Sequence, residues 1–493
     1  MMKDLKEKTI RGGFAKVCAQ AATFVLRIGS LMLLARLLEP KDFGLVGMVV
    51  AVIGVLNLFK DFGLSTATVQ RTTVTDEQVS TLFWINILVG VVLGLVSVAS
   101  APILAVFYHE PRLVWVTVVL AAGFLFNAAG VQHSALLQRQ MRFTALAVID
   151  IVSLFISTAV GIGMALRGYA YWALVGMTLS GPLVTTVGVW LVTAWIPGRP
   201  HRRAGIRSIM RFGGTITLNG LVVYIAYNLE KVLLGRFWGA EAIGIYGRAY
   251  QLINVPTENL NSAVGGVAFS ALSRIQDDPG RLRSYFLKGY TFVVALTIPI
   301  TIVCAAFAED MIGVVLGPKW KDAIPIFRLL APTMLILAMI NPLSWLLFSI
   351  GKVGRSLKVA LVLAPLVIGG YVLGLPYGPR GVAFGYSAVL ILWVIPHIAW
   401  CVHGTAISLR DILMAVARPL VSGIIAAGVA LGLLHFCSRL LGPLPRLALG
   451  CSVLAGAYVL ILLYVMGEKK FYLDLFRGLR RRSPAEEDSL VPA

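Results

Sequence analysis

The chain has little charge and lacks the motifs that most catalytic proteins carry. Only 13% of its 493 residues are charged, whereas 58% are hydrophobic and the mean hydropathy is +0.85. In soluble domains about a quarter of the residues are charged. The sequence has no GxxxxGK(S/T) phosphate loop, no HExxH, no GxSxG and no acidic DxD pair. These absences argue against a pump with its own nucleotide motor and against the common metal-dependent and serine hydrolases.

Cysteine is also scarce, and its spacing indicates no metal or disulfide chemistry. The chain has five cysteines, without a CxxC pair or any other metal-ligand spacing. Each lies within an apolar segment and is expected to pack as a small hydrophobic residue. We predict no cofactor and no metal.

Fourteen apolar segments are each long enough to form a membrane-spanning helix. A helix needs about 20 apolar residues to cross a bilayer, and polar, glycine or proline turns separate the segments. The residues that remain are too few for a soluble catalytic domain. The sequence therefore predicts an all-α polytopic membrane protein with spans at 14–38, 42–65, 79–107, 113–134, 143–166, 169–195, 212–236, 241–270, 284–308, 323–350, 356–376, 380–403, 411–436 and 444–467.

Lysine and arginine are distributed unequally between the two sets of loops. Twenty-five lie on the side of the termini and ten lie in the opposite loops. Because positive residues concentrate in cytoplasmic loops, we predict that both termini are cytoplasmic and that the first span is retained. The net charge of +20 is then explained by topology and by anionic membrane lipids, not by a nucleic-acid partner.

The second half of the chain repeats the first at an offset of 200 residues. Residues 34–38 (LARLL) align with 234–238 (LGRFW), and 43–45 (FGL) align with 243–245 (IGI). Both copies begin on the same side, so the repeat is parallel. We predict two pseudo-symmetric six-helix bundles, at 1–200 and 201–405, then two C-terminal helices at 406–470 and a cytoplasmic tail at 471–493.

Polar side chains within the spans are the main indication of a functional site. An ionisable group at the centre of a spanning helix costs about 2.5–3.5 kcal/mol on the insertion scale, so such groups usually face a cavity. In the first span, Lys16, Gln20 and Arg27 share one helical face, with Arg27 near mid-membrane. In the second span, Lys60 and Asp61 lie near the cytoplasmic end, where Lys60 can alternatively extend to the interface.

The equivalent spans of the second half show the same pattern. Pro256 is expected to kink the eighth span, which suits a moving helix, although proline is also frequent in membrane helices for structural reasons. The polar side chains of the seventh and eighth spans include Glu230, Lys231, Arg248, Gln251 and Glu258.

These polar faces are expected to meet in a cavity between the bundles. Five cations oppose three acids there, and this excess favours an anionic substrate. The predicted substrate-binding residues are Arg27, Lys16, Gln20, Lys60, Arg248, Gln251 and Lys231, and the predicted ion-coupling residues are Asp61, Glu258 and Glu230.

Two segments resemble the N-terminal signature of bacterial polysaccharide flippases. They are residues 37–44 (LLEPKDFG) and 61–70 (DFGLSTATVQ). These flippases belong to the multidrug, oligosaccharidyl-lipid and polysaccharide exporter superfamily, and the chain looks most like its lipopolysaccharide and colanic acid exporter branch.

The resemblance implies a transporter and not an enzyme. It implies movement of an undecaprenyl-diphosphate-linked oligosaccharide across the inner membrane by alternating access, coupled to H⁺ or Na⁺, within a glycan polymerase and export complex. Arg27, Lys60 and Arg248 are the positions that would fill the family's cationic cavity. Two alternatives are a multidrug cation antiporter on the same fold, which would favour an acidic cavity, and an integral-membrane glycan polymerase or ligase, which would favour a larger periplasmic loop.

Overall fold

The computed structural model describes residues 23–60, 65, 68, 75–200, 224–225, 227–437 and 442–469. Across these ranges the regular structure is helical, without a strand. The helices are α1 (23–37), α2 (Pro40–Asn57), α3 (Asp76–Tyr108), α4 (Leu113–Arg139), α5 (Phe143–Leu166), α6 (Tyr171–Thr193), α7 (Leu229–Arg274), α8 (Pro279–Ala306), α9 (Ala308–Val315), α10 (Ala323–Ser349), α11 (Val353–Gly374), α12 (Gly378–Val402), α13 (Leu409–Cys437) and α14 (Pro443–Leu460).

The helices match the predicted spans. Ten segments of the described chain are long and apolar enough to cross a membrane, and one of them, Val353–Val402, contains both α11 and α12. The end of the seventh predicted span, 229–236, and the whole eighth span fall together in α7, whereas 212–223 lie outside the described residues. The helix α9 is a short additional helix. The prediction of an all-α polytopic membrane protein is confirmed.

Several helices begin where the sequence provides a cap. The Thr75 side chain accepts a hydrogen bond from the backbone N–H of Gln78 at the start of α3. Asp278 accepts one from the N–H of Arg281 at the start of α8, where Pro279 occupies the first turn. These side chains satisfy backbone donors that have no partner within the helix, and a proline at the first position costs no hydrogen bond.

The turn between α3 and α4 carries an exposed ion pair. Arg112 donates to both carboxylate oxygens of Glu110, at 2.7 and 2.9 Å. This hydrogen bonding lowers the pKa of the Glu110 carboxyl below its usual value. The stability that the pair adds is lost as the pH falls through that lowered pKa, and solvent exposure keeps its contribution small.

A single glycine divides α7. Gly239 has φ 80° and ψ −173°, the only non-helical dihedrals in this helix, and that region of φ and ψ is open to glycine but strained for other residues. The break coincides with the predicted boundary between spans seven and eight. It also lies 200 residues from the 38–39 interruption between α1 and α2, as the repeat requires. Helical dihedrals continue through Pro256, where the sequence predicted a kink.

The chain forms two compact units. Unit 1 contains Met1–Tyr250, Val315–Ile326 and Ala360–Val389, and unit 2 contains Gln251–Val314, Phe327–Val359 and Leu390–Ala493. In unit 1, α3 packs on α4 and α6 packs on both α4 and α5. In unit 2, α8, α13 and α14 pack on one another. The six-helix bundles derived from the repeat are a different division of the chain and stay a prediction.

Polar contacts fix the C-terminal helices within unit 2. Arg446 of α14 donates from Nε to Asp310 of α9 at 2.8 Å, and Asp310 is buried. The Tyr458 hydroxyl donates to the carbonyl of Ala295 on α8 at 2.7 Å. A methyl group added to Gly423 of α13 would overlap the side chain of Ile298 on α8, so these two helices approach closely there. The two C-terminal helices are therefore held to α8 and α9 by specific contacts as well as by apolar packing.

Asp310→Asn is expected to destabilise unit 2. Replacing the carboxylate leaves the Arg446 guanidinium without its charged acceptor, and hydrogen bonds to charged groups contribute about 1.5–3 kcal/mol. Thermal unfolding of the purified protein in detergent measures the loss. The matched control is Asp322→Asn, because the Asp322–Arg380 pair is largely exposed at 3.4 Å and pairs of that kind contribute little. Equal melting temperatures for the two variants would contradict the role assigned to Asp310.

Candidate functional site

The structure describes seven of the ten predicted site residues. Lys16, Gln20 and Asp61 lie outside the described residues. The others occur on α1, just after α2, and on α7: Arg27, Lys60, Glu230, Lys231, Arg248, Gln251 and Glu258.

Arg27 and Lys60 are the cations of the first two helices. The Arg27 side chain is exposed on α1, and its charge acts on the Asp150 carboxyl of α5. Lys60 is half-buried, three residues beyond the end of α2. Among the described residues neither side chain forms a salt bridge.

Arg248 of α7 is held against an aromatic ring. Its guanidinium carbon lies 4.1 Å from the ring centroid of Phe43 on α2, a cation–π geometry. The Phe43 ring in turn packs edge-on against Trp320, with centroids 5.4 Å apart. The indole of Trp320 is fully buried and donates to the carbonyl of Ala35 on α1 at 2.8 Å. Arg248 is thus positioned by a chain of contacts that reaches back to α1.

The starts of the two repeats touch each other through a pair of glycines. A Cβ on Gly44 would overlap the backbone carbonyl of Ala240, and a Cβ on Gly244 would overlap that of Pro40. Each glycine lies 200 residues from its counterpart, and so do Pro40 and Ala240. This contact, which we call the two-glycine contact, is therefore reciprocal, as in an isologous interface. It requires glycine because the two backbones approach too closely for any side chain.

Two side-chain contacts surround the two-glycine contact. Lys319 forms an ion pair with Glu39 at 2.7 Å, next to Pro40. The Tyr224 hydroxyl donates to the carbonyl of Ala51 on α2 at 3.2 Å. Together with the two-glycine contact, these interactions fix α2 to other segments of unit 1 over much of its length.

Glu230 is buried, and the only cation shown to act on it among the described residues is the adjacent Lys231. Its side chain is 1% exposed, and neither carboxylate oxygen has a hydrogen-bond donor within the part of the chain that the structure describes. An isolated carboxylate in an apolar environment is strongly disfavoured. The group therefore requires a proton or a cation. The sequence predicted that Glu230 faces a cavity, whereas its side chain is buried; its role in ion coupling stays a prediction.

Four tyrosines form a stacked aromatic cluster near Glu230. Tyr246 stacks on Tyr250 at 6.2 Å between centroids, Tyr250 meets Tyr386 edge-on at 6.4 Å, and Tyr386 stacks on Tyr371 at 5.7 Å. The charge of Glu230 acts on the hydroxyls of Tyr246, Tyr371 and Tyr386. Three of the four hydroxyls of this tyrosine cluster are therefore close enough to the carboxyl for its charge to act on them.

The remaining predicted residues make local contacts on α7. Lys231 donates to the side-chain oxygen of Asn228 at 2.7 Å. Glu258 is exposed and accepts from the amide of Asn254 at 2.6 Å. Gln251 is half-buried and begins unit 2.

The tyrosine cluster was not predicted from the sequence. The spacing of four between Tyr246 and Tyr250 places both on one face of α7, which was an available signal. Tyr371 and Tyr386 lie on α11 and α12, more than a hundred residues along the chain, so their approach depends on tertiary packing.

Comparison with known proteins identifies relatives over most of the chain. A family model described as "Polysaccharide biosynthesis protein" matches residues 33–325. The lipopolysaccharide biosynthesis protein WzxC of Escherichia coli is 27% identical, covering 79% of this chain and 80% of its own. The teichuronic acid biosynthesis protein TuaB of Bacillus subtilis is 28% identical, covering 82% and 84%. The succinoglycan biosynthesis transport protein ExoT of Rhizobium meliloti is 23% identical, covering 95% of each chain.

Solved structures with the same fold include a flippase and a drug transporter. The inward closed conformation of the lipid II flippase MurJ has a TM-score of 0.73 at 12% identity, covering 96% of this chain and 100% of its own. An inward-facing multidrug resistance transporter of the MATE family has a TM-score of 0.61 at 16% identity, covering 77% and 93%. At these identities the likeness concerns the fold.

These matches confirm the resemblance of the chain to the polysaccharide flippases. They also confirm the prediction that the protein is a transporter and not an enzyme. They agree with the long apolar helices. The chain is a multi-pass membrane protein that belongs to the polysaccharide biosynthesis protein family.

Proposed function

We propose that the protein moves a polyprenyl-diphosphate-linked oligosaccharide from the cytoplasmic to the periplasmic leaflet of the bacterial inner membrane. The transport follows alternating access and is driven by an H⁺ or Na⁺ gradient. Both termini of the chain lie in the cytoplasm. The names of the relatives, which are polysaccharide biosynthesis and transport proteins, support this substrate class. A glycan polymerase or export complex would supply or receive the oligosaccharide.

The observation that carries the proposal is that two cations, Arg27 on α1 and Lys60 just after α2, have no salt bridge in the described structure. Charged side chains in spanning helices are costly and usually paired. An anionic substrate would provide a directly bonded counter-charge, in addition to the Asp150 carboxyl on which the charge of Arg27 acts. Guanidinium forms bidentate hydrogen bonds with phosphate oxygens, which makes Arg27 the first contact expected for the diphosphate.

The two-glycine contact supports the alternating-access mechanism. Arg36, Lys41 and Arg236 flank this contact and belong to the loops with few positive residues, which assigns the contact to the periplasmic side under the proposed orientation. Closure of the transporter on its periplasmic side would depend on the contact between the backbones of α2 and α7. Release of the substrate to the periplasm would require these two helices to separate. The same two segments carry Phe43 and Arg248, so separation would also remove Arg248 from the ring on which it stacks.

Glu230 is the group proposed to bind the coupling ion. A carboxyl buried near the tyrosine cluster, with only the adjacent Lys231 as a cation acting on it among the described residues, binds a proton or a Na⁺ ion more favourably than it remains charged. Glu230 and Arg248 both belong to α7, so a change of charge at Glu230 acts on the helix that forms the two-glycine contact.

Arg27→Ala is expected to reduce translocation about 10- to 100-fold, because a hydrogen-bonded charge contact contributes about 1.5–3 kcal/mol. The assay follows a fluorescent undecaprenyl-diphosphate oligosaccharide in proteoliposomes at matched protein insertion. Arg27→Lys keeps the charge but loses the bidentate geometry, and intermediate activity is expected. Arg167→Ala, at the exposed end of α5, is the control and should match the wild type. Normal transport by Arg27→Ala would refute the assigned contact.

Gly44→Ala and Gly244→Ala are expected to slow transport by preventing closure of the two-glycine contact. A methyl group at either position overlaps a backbone carbonyl, which cannot move as a side chain can. The control is Gly247→Ala, one turn further along α7, where no atom of the described chain lies within 4 Å of an added Cβ. The same proteoliposome assay measures all three variants. If the variants at 44 and 244 transported as fast as the control, this contact would have no part in the cycle.

Glu230→Gln is expected to abolish the response of transport to an imposed ion gradient while leaving slow downhill exchange. The amide cannot exchange a proton and binds a cation weakly, but it occupies nearly the same volume. Translocation is measured with a Na⁺ gradient and with a pH gradient separately, and Glu241→Gln on an exposed part of α7 serves as the control. Gradient stimulation that survives in Glu230→Gln would rule out this carboxyl as the coupling group.

A further inference from the structure

The start of the first repeat is held by an aromatic side chain from the second half of the chain. This side chain is Trp320, in the turn between α9 and α10. It is fully buried, donates to the carbonyl of Ala35 on α1 and packs on the ring of Phe43 on α2. The turn belongs to unit 1, as α1 and α2 do. The contact is therefore internal to unit 1.

The start of the second repeat is held in the corresponding way by the first half of the chain. Gly235 and Ile243 lie 200 residues from Ala35 and Phe43. A Cβ on Gly235 would lie 2.6 Å from the ring of Tyr108, at the end of α3, and 2.7 Å from the side chain of Ile243. Each half therefore holds the start of the other, directly beside the two-glycine contact. We call these two contacts together with the two-glycine contact the clasp.

The second of these contacts contains a hydrogen bond between two basic side chains. Nη1 of Arg236 lies 2.8 Å from Nδ1 of His109, the residue that ends α3. A guanidinium group has donors only, so Nδ1 must be the acceptor and carries no proton. The Arg236 guanidinium also lies 5.7 Å from the ring centroid of Phe107. The closed clasp therefore requires an uncharged imidazole at His109.

The backbone at His109 is an ordered helix end. Its φ of 55° and ψ of 38° are left-handed, a region that histidine and asparagine enter more readily than most residues. Its N–H bonds to the carbonyls of Ala105 and Val106, which closes the last turn of α3. The side chain is exposed, so protons from solution reach the ring.

The groups around His109 offer a proton on its ring little compensation. Arg112 and Glu110, in the same turn, form an ion pair with each other, and His109 forms no salt bridge within the described chain. The titratable groups of this helix end and of the neighbouring α2, α6 and α7 are Tyr108, Glu110, Arg112, Asp42, Tyr171 and Arg236. Of these, the group in direct contact with the imidazole is the cation Arg236.

We propose that His109 is a proton-binding site that releases α7 from α3 and so allows the clasp to open. With Nδ1 as the acceptor, the next proton binds at Nδ1 itself. It removes the hydrogen bond from Arg236 and leaves two cations side by side, which repel. The inference rests on the proposed function for the periplasmic position of the clasp and for its opening as a step of transport.

The direction of the pH effect follows from linkage. The closed clasp holds His109 neutral, so a proton binds the open form more tightly. Closure is therefore strongest at high pH and weakens as the pH falls through the titration of His109, and histidine is the side chain that ordinarily changes charge between about pH 5 and 8. Because His109 and Arg236 are both exposed, solvent moderates their repulsion.

The opening is measured as a distance between two spin labels in the full-length protein. The labels are attached through Tyr169→Cys, in the turn between α5 and α6, and Phe237→Cys on α7, because both side chains are exposed. The five native cysteines are replaced by alanine. Double electron–electron resonance in phosphatidylcholine nanodiscs records the distances between about pH 8 and pH 5. The ratio of longer to shorter distances is expected to rise about fivefold or more on acidification.

His109→Asn removes the titration and keeps the geometry. The oxygen Oδ1 of asparagine takes nearly the position of imidazole Nδ1 and accepts from Arg236, and asparagine also tolerates a left-handed backbone. The short distance is expected at every pH. Arg236→Gln removes the opposing charge and should likewise abolish the pH response. The control His403→Asn, just after α12 in unit 2, should respond as the wild type does.

Glu230→Gln separates this site from the proposed coupling group, and its pH response should equal that of the wild type. Gel filtration and thermal unfolding establish that each variant is folded. Three results would overturn the proposal: wild-type distances that do not change with pH, a response that persists in His109→Asn or Arg236→Gln, and a response that is lost in Glu230→Gln. Because no lipid-linked substrate is present, these results leave the transport function standing, and absence of translocation would leave the pH response standing.

Discussion

The interior of a bilayer supplies no hydrogen bonds and poorly solvates charge, and most of this structure follows from that constraint. Backbone groups must pair within the chain, so the described segments are helical. Polar side chains in the helices cap backbone groups, meet other helices or remain without partners. Those that lack a partner among the described residues are informative, because each has a cost that a bound ion, lipid headgroup or water would offset. In this protein they include Arg27, Lys60, Glu230 and Asn261.

These groups differ in charge, and their differences suggest separate tasks. Cations near the start of the chain suit a diphosphate, whereas the buried carboxyl Glu230 suits a proton or cation. The same helix, α7, carries Glu230 and the second glycine of the two-glycine contact. Its single non-helical residue, Gly239, lies between these two features.

The helices were predictable from hydropathy because each span needs a long apolar run, and the boundary predicted between the seventh and eighth spans coincides with the break at Gly239. Glu230 could be proposed because a charge in an apolar run is visible in the sequence. The tyrosine cluster was not predicted. Tyr371 and Tyr386 are ordinary residues in apolar helices, and only packing between distant segments brings them near Glu230. The close approach at Gly44 also depends on the partner backbone, which no local pattern reveals.

The decisive experiment for the proposed function compares two substrates for the wild-type protein in proteoliposomes. One is a fluorescent undecaprenyl-diphosphate oligosaccharide and the other is a lipophilic cationic dye, each with imposed Na⁺ and pH gradients and with protein-free liposomes as the baseline. A basic site for an anionic headgroup predicts translocation of the lipid-linked oligosaccharide and no transport of the dye. Transport of the dye without movement of the oligosaccharide would contradict the proposed function and would favour the multidrug antiporter that shares this fold.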